Sequence, residues 1–369
     1  MIATTVHEKL GLKEVINASG KMTILGVSKV SDSVFEAQKA AGSTFFEMDD
    51  LFVKTGDYVA ELVDAPSGHI VSCASAGIGL CVNAVITKGK ALEVFRPYDF
   101  SLNSKREIVM PMGHLIDYGT PIDIMIAQGG GRVVLAGQAN VCQKRHVEMM
   151  INEETAALFY VKSHHTVQKN MLTVADMAAV AKAYDLPLIV DAAAEEDVHA
   201  YLKAGAQLVI YSGAKAFEGP SSGLVIGETY MVEWVRASAK GIGRSMKIGK
   251  ENVLGLVAAV EAYMKNDKET GTSMKERLAP FITAVNGIEG LQGAVVHDGA
   301  GRDIFRASVK VLAADAYGVI AALKEKSPAI YTREYQANQG IIEFDIRSVD
   351  GVEMDKIVER LAEIMKELR

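Results

Sequence analysis

Residues 186–227 read LPLIVDAAAEEDVHAYLKAGAQLVIYSGAKAFEGPSSGLVIG. Two short apolar runs, 187–190 and 207–211, are rich in β-branched and aromatic residues and bounded by turn formers, so each is expected to be a buried strand. The first closes on Asp191. The second closes on Ser212-Gly213-Ala214-Lys215, and a Gly- and Ser-rich loop then leads to a third run, 223–227. An acid at one strand end and a lysine just past the next would share the carboxyl edge of a sheet. In open α/β sheets that edge is where ligands sit.

The separation is 215 − 191 = 24 residues, room for a helix or loop plus a strand. Pyridoxal phosphate (PLP) chemistry wants this pair: a lysine amine to hold the aldehyde as a Schiff base, and an acid on the pyridine nitrogen so that the ring can accept electrons from the substrate α-carbon. Spacing alone fits equally well a helix-capping Asp and a surface Lys.

Composition narrows the classes. The 369 residues are 49% hydrophobic and 23% charged, enough for a large core and for one large plus one small domain. With 39 basic against 46 acidic residues the net charge is −7, which gives no electrostatic case for a nucleic-acid surface. Cys73, Cys81 and Cys142 form no CxxC pair and no metal spacing. They are expected to be reduced, buried thiols of a cytoplasmic protein with no secretory leader. The uncharged run 70–87 is interrupted by Ser72, Ser75 and Asn83 and is expected to be a strand, a turn and a buried helix rather than a membrane span.

Working outward, Ala74-Ser75-Ala76-Gly77 is a small-residue turn opening a helix at 78–86. Such a turn presents backbone N–H groups and a favourable dipole to a phosphate, although close packing of helix on sheet would choose the same residues. Strands are expected at 107–110, 132–135 and 156–161, with Gly113-His114 after the first. The cluster Gly129-Gly130-Gly131 lies between helix and strand, the reverse of a dinucleotide fingerprint. Lys162-Ser163-His164-His165 follows the strand 156–161. Adjacent side chains on an extended segment point opposite ways, so only one of the two histidines is expected to face a ligand, and His165 is favoured. Thr173 with Asp176 caps a helix over 174–184. Residues 240–250, KGIGRSMKIGK, are a basic cluster in an acidic chain. They are not a phosphate loop, because the spacing is one residue too long and no strand precedes it. An SxxK at 212–215 and a KTG at 54–56 resemble penicillin-binding acyl enzymes, but their order is reversed and the α/β alternation is wrong for that class.

SGAKAFEGPSSGLVIG at 212–227 resembles the lysine segment of the selenocysteine synthase superfamily of fold-type I PLP enzymes. VINASGKMTILG, MGHLIDYG with GGGRVVLAGQAN, and VKSHHTVQKNMLTVADMAAVAKAYDLPLIVDAAA resemble further segments of that superfamily, along most of the chain. Within it, similar length and a His-His loop resemble a group of ammonia-lyases acting on a phosphorylated amino-sugar acid. The resemblance implies PLP on Lys215 and Asp191 on the pyridine nitrogen. It places the phosphate on Ser75, Ala76, Gly77 and Ser212, and His114 stacked on the ring. It implies His165 as a second catalytic group beside Lys215. It also makes Arg244 and Lys250 candidate phosphate binders and Arg347 a clamp on the substrate carboxylate, against the alternative of an ion pair between Arg347 and Asp345 or Asp350. The implied fold is the α/β fold-type I transferase fold: a large, mostly parallel sheet of the seven-stranded type with a small α+β C-terminal domain.

The expected organisation is an arm over 1–20, a PLP-binding domain over 21–252, and a linker helix with a small domain over 253–369. The expected protein is a homodimer or higher homo-oligomer acting on a small anionic amino acid, without nucleic acid, metal or membrane. An α,β-elimination releasing ammonia is the expected reaction. A tRNA-dependent selenium transferase or another PLP lyase or aminotransferase are the alternatives. The superfamily's Arg after the Leu-Gly of its N-terminal motif is Val27 here, which argues against an acyl-tRNA substrate.

Overall fold

The computed structural model describes residues 5–163, 165–265, 269–298 and 303–368. The described residues form twelve strands: β1 (Val15–Ala18), β2 (Ser67–Val71), β3 (Glu107–Pro111), β4 (Arg132–Ala136), β5 (Thr155–Val161), β6 (Leu188–Asp191), β7 (Leu208–Ser212), β8 (Gly223–Gly227), β9 (Leu291–His297), β10 (Phe305–Val311), β11 (Ala329–Thr332) and β12 (Ile341–Phe344). The chain divides into two compact units, Val30–Asn266 and Met1–Lys29 with Asp267–Arg369.

The larger unit is built on a seven-stranded sheet in the order β2-β8-β7-β6-β5-β3-β4. β8 runs antiparallel to both its neighbours, β2 and β7, and the remaining pairs are parallel. Strands 2, 3, 6 and 8 are buried at every residue, as in a sheet with both faces covered. Successive side chains alternate between two cores: Leu158 and Tyr160 of β5 join one, Ala157, Phe159 and Val161 the other. The run 70–87 proves to be the end of β2 and the buried helix Ala74–Thr87. No helix among the described residues is long and apolar enough to cross a membrane.

The smaller unit joins a three-stranded antiparallel sheet, β12-β10-β9, to the parallel pair β1-β11, around a core that includes Phe281, Phe344 and Leu361. Two boundaries differ from expectation. Residues 15–18 are no free arm, because Val15 to Ala18 pair in register with Ala329 to Thr332. The helix Lys250–Lys265, expected to link to the small domain, belongs to the large unit: its buried face packs on the helix Asp32–Gly42, and Gln38 bonds Asn252 at 2.9 Å.

Candidate active site

Because β2, β3, β5, β6 and β7 point the same way, their carboxyl ends share one edge of the sheet. β6 ends on Asp191, which is 7% exposed. Burial pushes its carboxyl up to about 6. Glu195 adds to that rise, while the Ala193 N–H, donating to Oδ1 at 3.0 Å, and the charge of Lys215 oppose it. Lys215 follows β7 on a turn whose N–H donates to the Ser212 carbonyl at 3.3 Å. Burial pulls its ammonium down, and Asp191 pulls the other way. Acid and amine therefore sense each other in a dry environment, in which burial favours the nucleophilic free amine and the acid opposes it. Buried Cys81 also senses Asp191, though burial is the larger reason its thiol is pushed up.

At the end of β2 the helix Ala74–Thr87 begins, with Cys73 as its cap. The N–H groups of its first turn have no acceptor within the helix and face the same edge. Ala76 donates to the Cys73 sulfur at 3.4 Å, a weak bond that an anion can replace. Gly77 has a different function from the phosphate contact expected of it. Its N–H donates to the Cys73 carbonyl at 3.1 Å inside the helix, and a Cβ there would stand 2.9 Å from Ile210 Cγ2. The glycine lets the helix lie directly on β7. Gly223 does likewise for β8, since its Cβ would meet the Cys73 carbonyl carbon at 2.7 Å.

His114 also departs from its expected role. Its ring is completely buried, edge-on to Tyr160 at 4.5 Å and 84°, and Nδ1 accepts the Val161 N–H at 3.4 Å. A ring with no exposed surface offers no face for stacking. Burial, then the charge of Lys162, pulls it down to about 4, so it is neutral. Tyr118, which the sequence reading passed over, is the aromatic residue at this edge. Its hydroxyl lies 3.2 Å from Ser75 Oγ. Burial pushes the phenol up and the Asp191 charge adds to it, so Tyr118 is close to both the helix start and the acid. Nothing in the turn Asp117-Tyr118-Gly119 marks it as functional.

His165 is exposed on the loop after β5, its N–H donating to Ser163 Oγ at 3.2 Å; His164 lies outside the described residues. Lys250 Nζ donates to the carbonyls of Ala41 and Gly42 at 2.5 and 2.9 Å, closing the end of a helix. Arg244 is exposed beside a cavity whose lining includes neither Asp191 nor Lys215. In the smaller unit, Arg347 lies just past β12 on a 3-10 turn. Its Nε and Nη2 donate to the two oxygens of buried Asp345, each at 2.9 Å, so the ion-pair alternative is present. Burial alone would raise the Asp345 carboxyl, but Arg347 and Arg306 together hold it far below the usual range.

A buried acid on one strand end, an amine past the next, and a helix start carrying Ser75 fit PLP: a carboxylate for the ring nitrogen, an amine for the aldehyde, N–H donors for the phosphate. The strand order and this edge define the molecule as an enzyme of the fold-type I PLP-dependent transferase class. More narrowly, the chain belongs to the L-seryl-tRNA selenium transferase family, whose family model matches residues 15–279. It is 47% identical over 363 residues, 97% of both chains, to a D-glucosaminate-6-phosphate ammonia lyase of Salmonella typhimurium. It is 34% identical over 98% of its length to a 5'-C-glycyluridine monooxygenase-decarboxylase of a Streptomyces species, covering 92% of that protein. A solved structure of D-glucosaminate-6-phosphate ammonia-lyase superposes with a TM-score of 0.93 at 46% identity, each chain covered completely.

Proposed function

We propose that the protein holds PLP on Lys215 and converts D-glucosaminate 6-phosphate to 2-keto-3-deoxygluconate 6-phosphate and ammonia. The observation that carries this reading is the 47% identity, end to end, to an ammonia lyase of that specificity, in a chain with Asp191 and Lys215 on one sheet edge. The cofactor, when bound, supplies an electron sink for charge developing at the substrate α-carbon.

Lys215 would hold the aldehyde carbon, and Asp191 would take the pyridine nitrogen. Ser75, with the N–H groups of its turn, and Ser212 would take the phosphate. When not holding the cofactor, Lys215 would be the base for the α-proton, and burial, which pulls its ammonium down, favours that role. The β-hydroxyl leaves as water with a proton from Lys215 or His165. One water is lost in the elimination and one consumed in hydrolysis, so the net products are the 2-oxo acid and ammonia. Arg347, oriented by Asp345, is proposed to grip the substrate carboxylate. The working form is proposed to be a homodimer or higher homo-oligomer.

The relative named as a glycyluridine monooxygenase-decarboxylase supports a second reading, an oxygen-dependent decarboxylation. Incubation of PLP-loaded protein with D-glucosaminate 6-phosphate separates the two. Equal amounts of ammonia and 2-oxo acid, with no oxygen consumed, support the lyase. No turnover of this compound, or oxygen uptake with carbon dioxide release, rejects it.

A further inference from the structure

The amino edge of the seven-stranded sheet, opposite Asp191 and Lys215, opens on a cavity of about 920 Å³, the size of pockets that take small organic ligands. Thr155, Pro187 and Gln207, at the amino ends of β5, β6 and β7, lie along it. Four lysines line it, Lys88, Lys90, Lys105 and Lys182, against two acids, Asp185 and Glu228. The balance is 4 − 2 = +2, in a chain of net charge −7. Lys90 pairs with Glu93 at 3.0 Å, but Lys88, Lys105 and Lys182 have no ion pair among the described residues. Asn103 holds two of these lysines near each other. Its Nδ2 donates to the Ile86 carbonyl at 2.6 Å and its Oδ1 accepts the Lys105 N–H at 2.9 Å, which fastens Lys105 to the helix end that carries Lys88.

The other wall is aromatic. Trp234, the only tryptophan of the chain, is half-buried, and Tyr230 meets it edge-on at 5.0 Å and 79°. A Cβ on Gly89 would stand 3.0 Å from Trp234 Cδ1, so the indole lies against the turn between Lys88 and Lys90. Burial pushes the Tyr230 phenol up and the charges of Glu228 and Asp185 add to it, so both acids lie near this ring. Two further donors have no acceptor among the described residues. The hydroxyl of Thr155, a residue 1% exposed, accepts the Asn152 N–H at 3.0 Å but gives its own proton to no partner. Gln207 Oε1 accepts the Leu188 N–H at 2.8 Å, and its Nε2 is unused. Lysines at helix ends complement the helix dipole, but that role leaves Lys105, the aromatic wall and these donors without a use.

We propose that this cavity is a binding site for a nucleoside phosphate. The base stacks on Trp234, since every nucleobase offers a π-face to an aromatic ring. The phosphates meet Lys88 and Lys105, whose ammonium groups have no other anion. Ribose hydroxyls donate to Glu228 and Asp185, and Thr155 and Gln207 serve the remaining acceptors. The assignment is independent of the chemistry at Lys215, which lies at the other end of the strands.

The test is a fluorescence titration of the PLP-loaded, full-length protein with ADP, in which the emission of Trp234 reports occupancy directly. Saturable quenching at one ADP per chain is expected. Adenosine and inorganic pyrophosphate should each bind at least about tenfold more weakly, because each lacks part of the contacts. Lys105→Gln is expected to weaken ADP binding by about three- to tenfold, the scale of one charge-assisted contact. Trp234→Leu, read by calorimetry, is expected to weaken it as well. Should that half-buried change unfold the chain, the exposed Lys105 variant still decides. The proposal is overturned if millimolar ADP gives no saturable quenching or if Lys105→Gln leaves the affinity unchanged. It is equally overturned if pyrophosphate binds as tightly as ADP, which removes the base from the site, or if ADP binds only PLP-free protein, which places it in the phosphate cradle.

Discussion

Asp191 stands directly beside Ile210 on the neighbouring parallel strand, and Lys215 follows five residues later (215 − 210 = 5). This register brings a buried acid and a buried amine to one edge, each altering the proton affinity of the other. The covalent chemistry proposed for the protein depends on it.

Replacing Lys215 should therefore abolish turnover without unfolding the chain. Lys215→Ala is expected to cost at least about a thousandfold in kcat, as removal of a covalent and acid–base group does. Its thermal unfolding should stay close to that of the parent, because the variant removes a desolvated amine. Retained steady-state activity would reject the mechanism.

Asp191 predicts a pH dependence in the PLP-free protein. Its folded pKa of about 6 lies above the ordinary carboxyl value, so the folded state binds this proton more tightly than the unfolded chain. The resulting stability is complete below about pH 4 and is lost as pH rises through about 6, an effect of roughly 3 kcal/mol at most. PLP-free Asp191→Asn should gain stability relative to the parent between pH 5 and pH 7.5 in thermal scans, with the gap closing as pH falls. A pH-independent gap would contradict the buried, destabilised carboxylate. With PLP present the same variant should lose cofactor-dependent stabilisation.

Tyr118 tests the phosphate end. Tyr118→Phe deletes the hydroxyl that meets Ser75 Oγ at 3.2 Å, a bond worth about 0.5–1.5 kcal/mol. A loss of about two- to tenfold in PLP affinity is expected, read as cofactor released on dialysis. Unchanged retention would confine Tyr118 to packing.

Gly77→Ala tests the seat of the helix on β7. The added methyl meets Ile210 Cγ2 at 2.9 Å and Val225 Cγ2 at 3.4 Å. Overpacking of this kind costs about 1–3 kcal/mol, and the shifted helix should also bind PLP less well. An unaltered unfolding temperature would show that the contact relaxes freely.

Arg347 tests the substrate clamp. Arg347→Ala should raise KM for the amino acid more than it lowers kcat, and Arg347→Lys should not restore it, because a lysine cannot reproduce the two-pronged bond to Asp345. An unchanged KM would leave Arg347 as a structural partner of Asp345 alone.

Much of this architecture is legible in the chain, for definable reasons. The runs at 187–190, 207–211 and 223–227 are strands because their residues are buried on both faces, and burial of that kind leaves a continuous apolar signature. β1 and β11 carry no such signature: they pair across 329 − 15 = 314 residues, a relation that no local window contains. β9 alternates imperfectly and is largely exposed, so its pattern is weak. The helix Lys250–Lys265 shows an apolar stripe but not the surface that stripe covers, which is why it was expected in the wrong unit.

The site divides in the same way. Asp191 and Lys215 are readable because strand ends fix where they stand. The resemblance makes Lys250 a candidate phosphate binder, and no local window reveals that its Nζ meets the carbonyls of Ala41 and Gly42. His114 looked like a stacking ring because its depth, and its contact with Tyr160, depend on packing between β3 and β5. Tyr118 was passed over because its partner Ser75 is 43 residues away on another element (118 − 75 = 43).

The most direct test is borohydride reduction of the PLP-loaded protein followed by proteolysis and mass spectrometry. The account predicts a phosphopyridoxyl group on Lys215 and loss of the visible cofactor absorption on reduction. A label on a different lysine, or no label after PLP has been supplied, would contradict the assignment of Lys215 and the chemistry built on it.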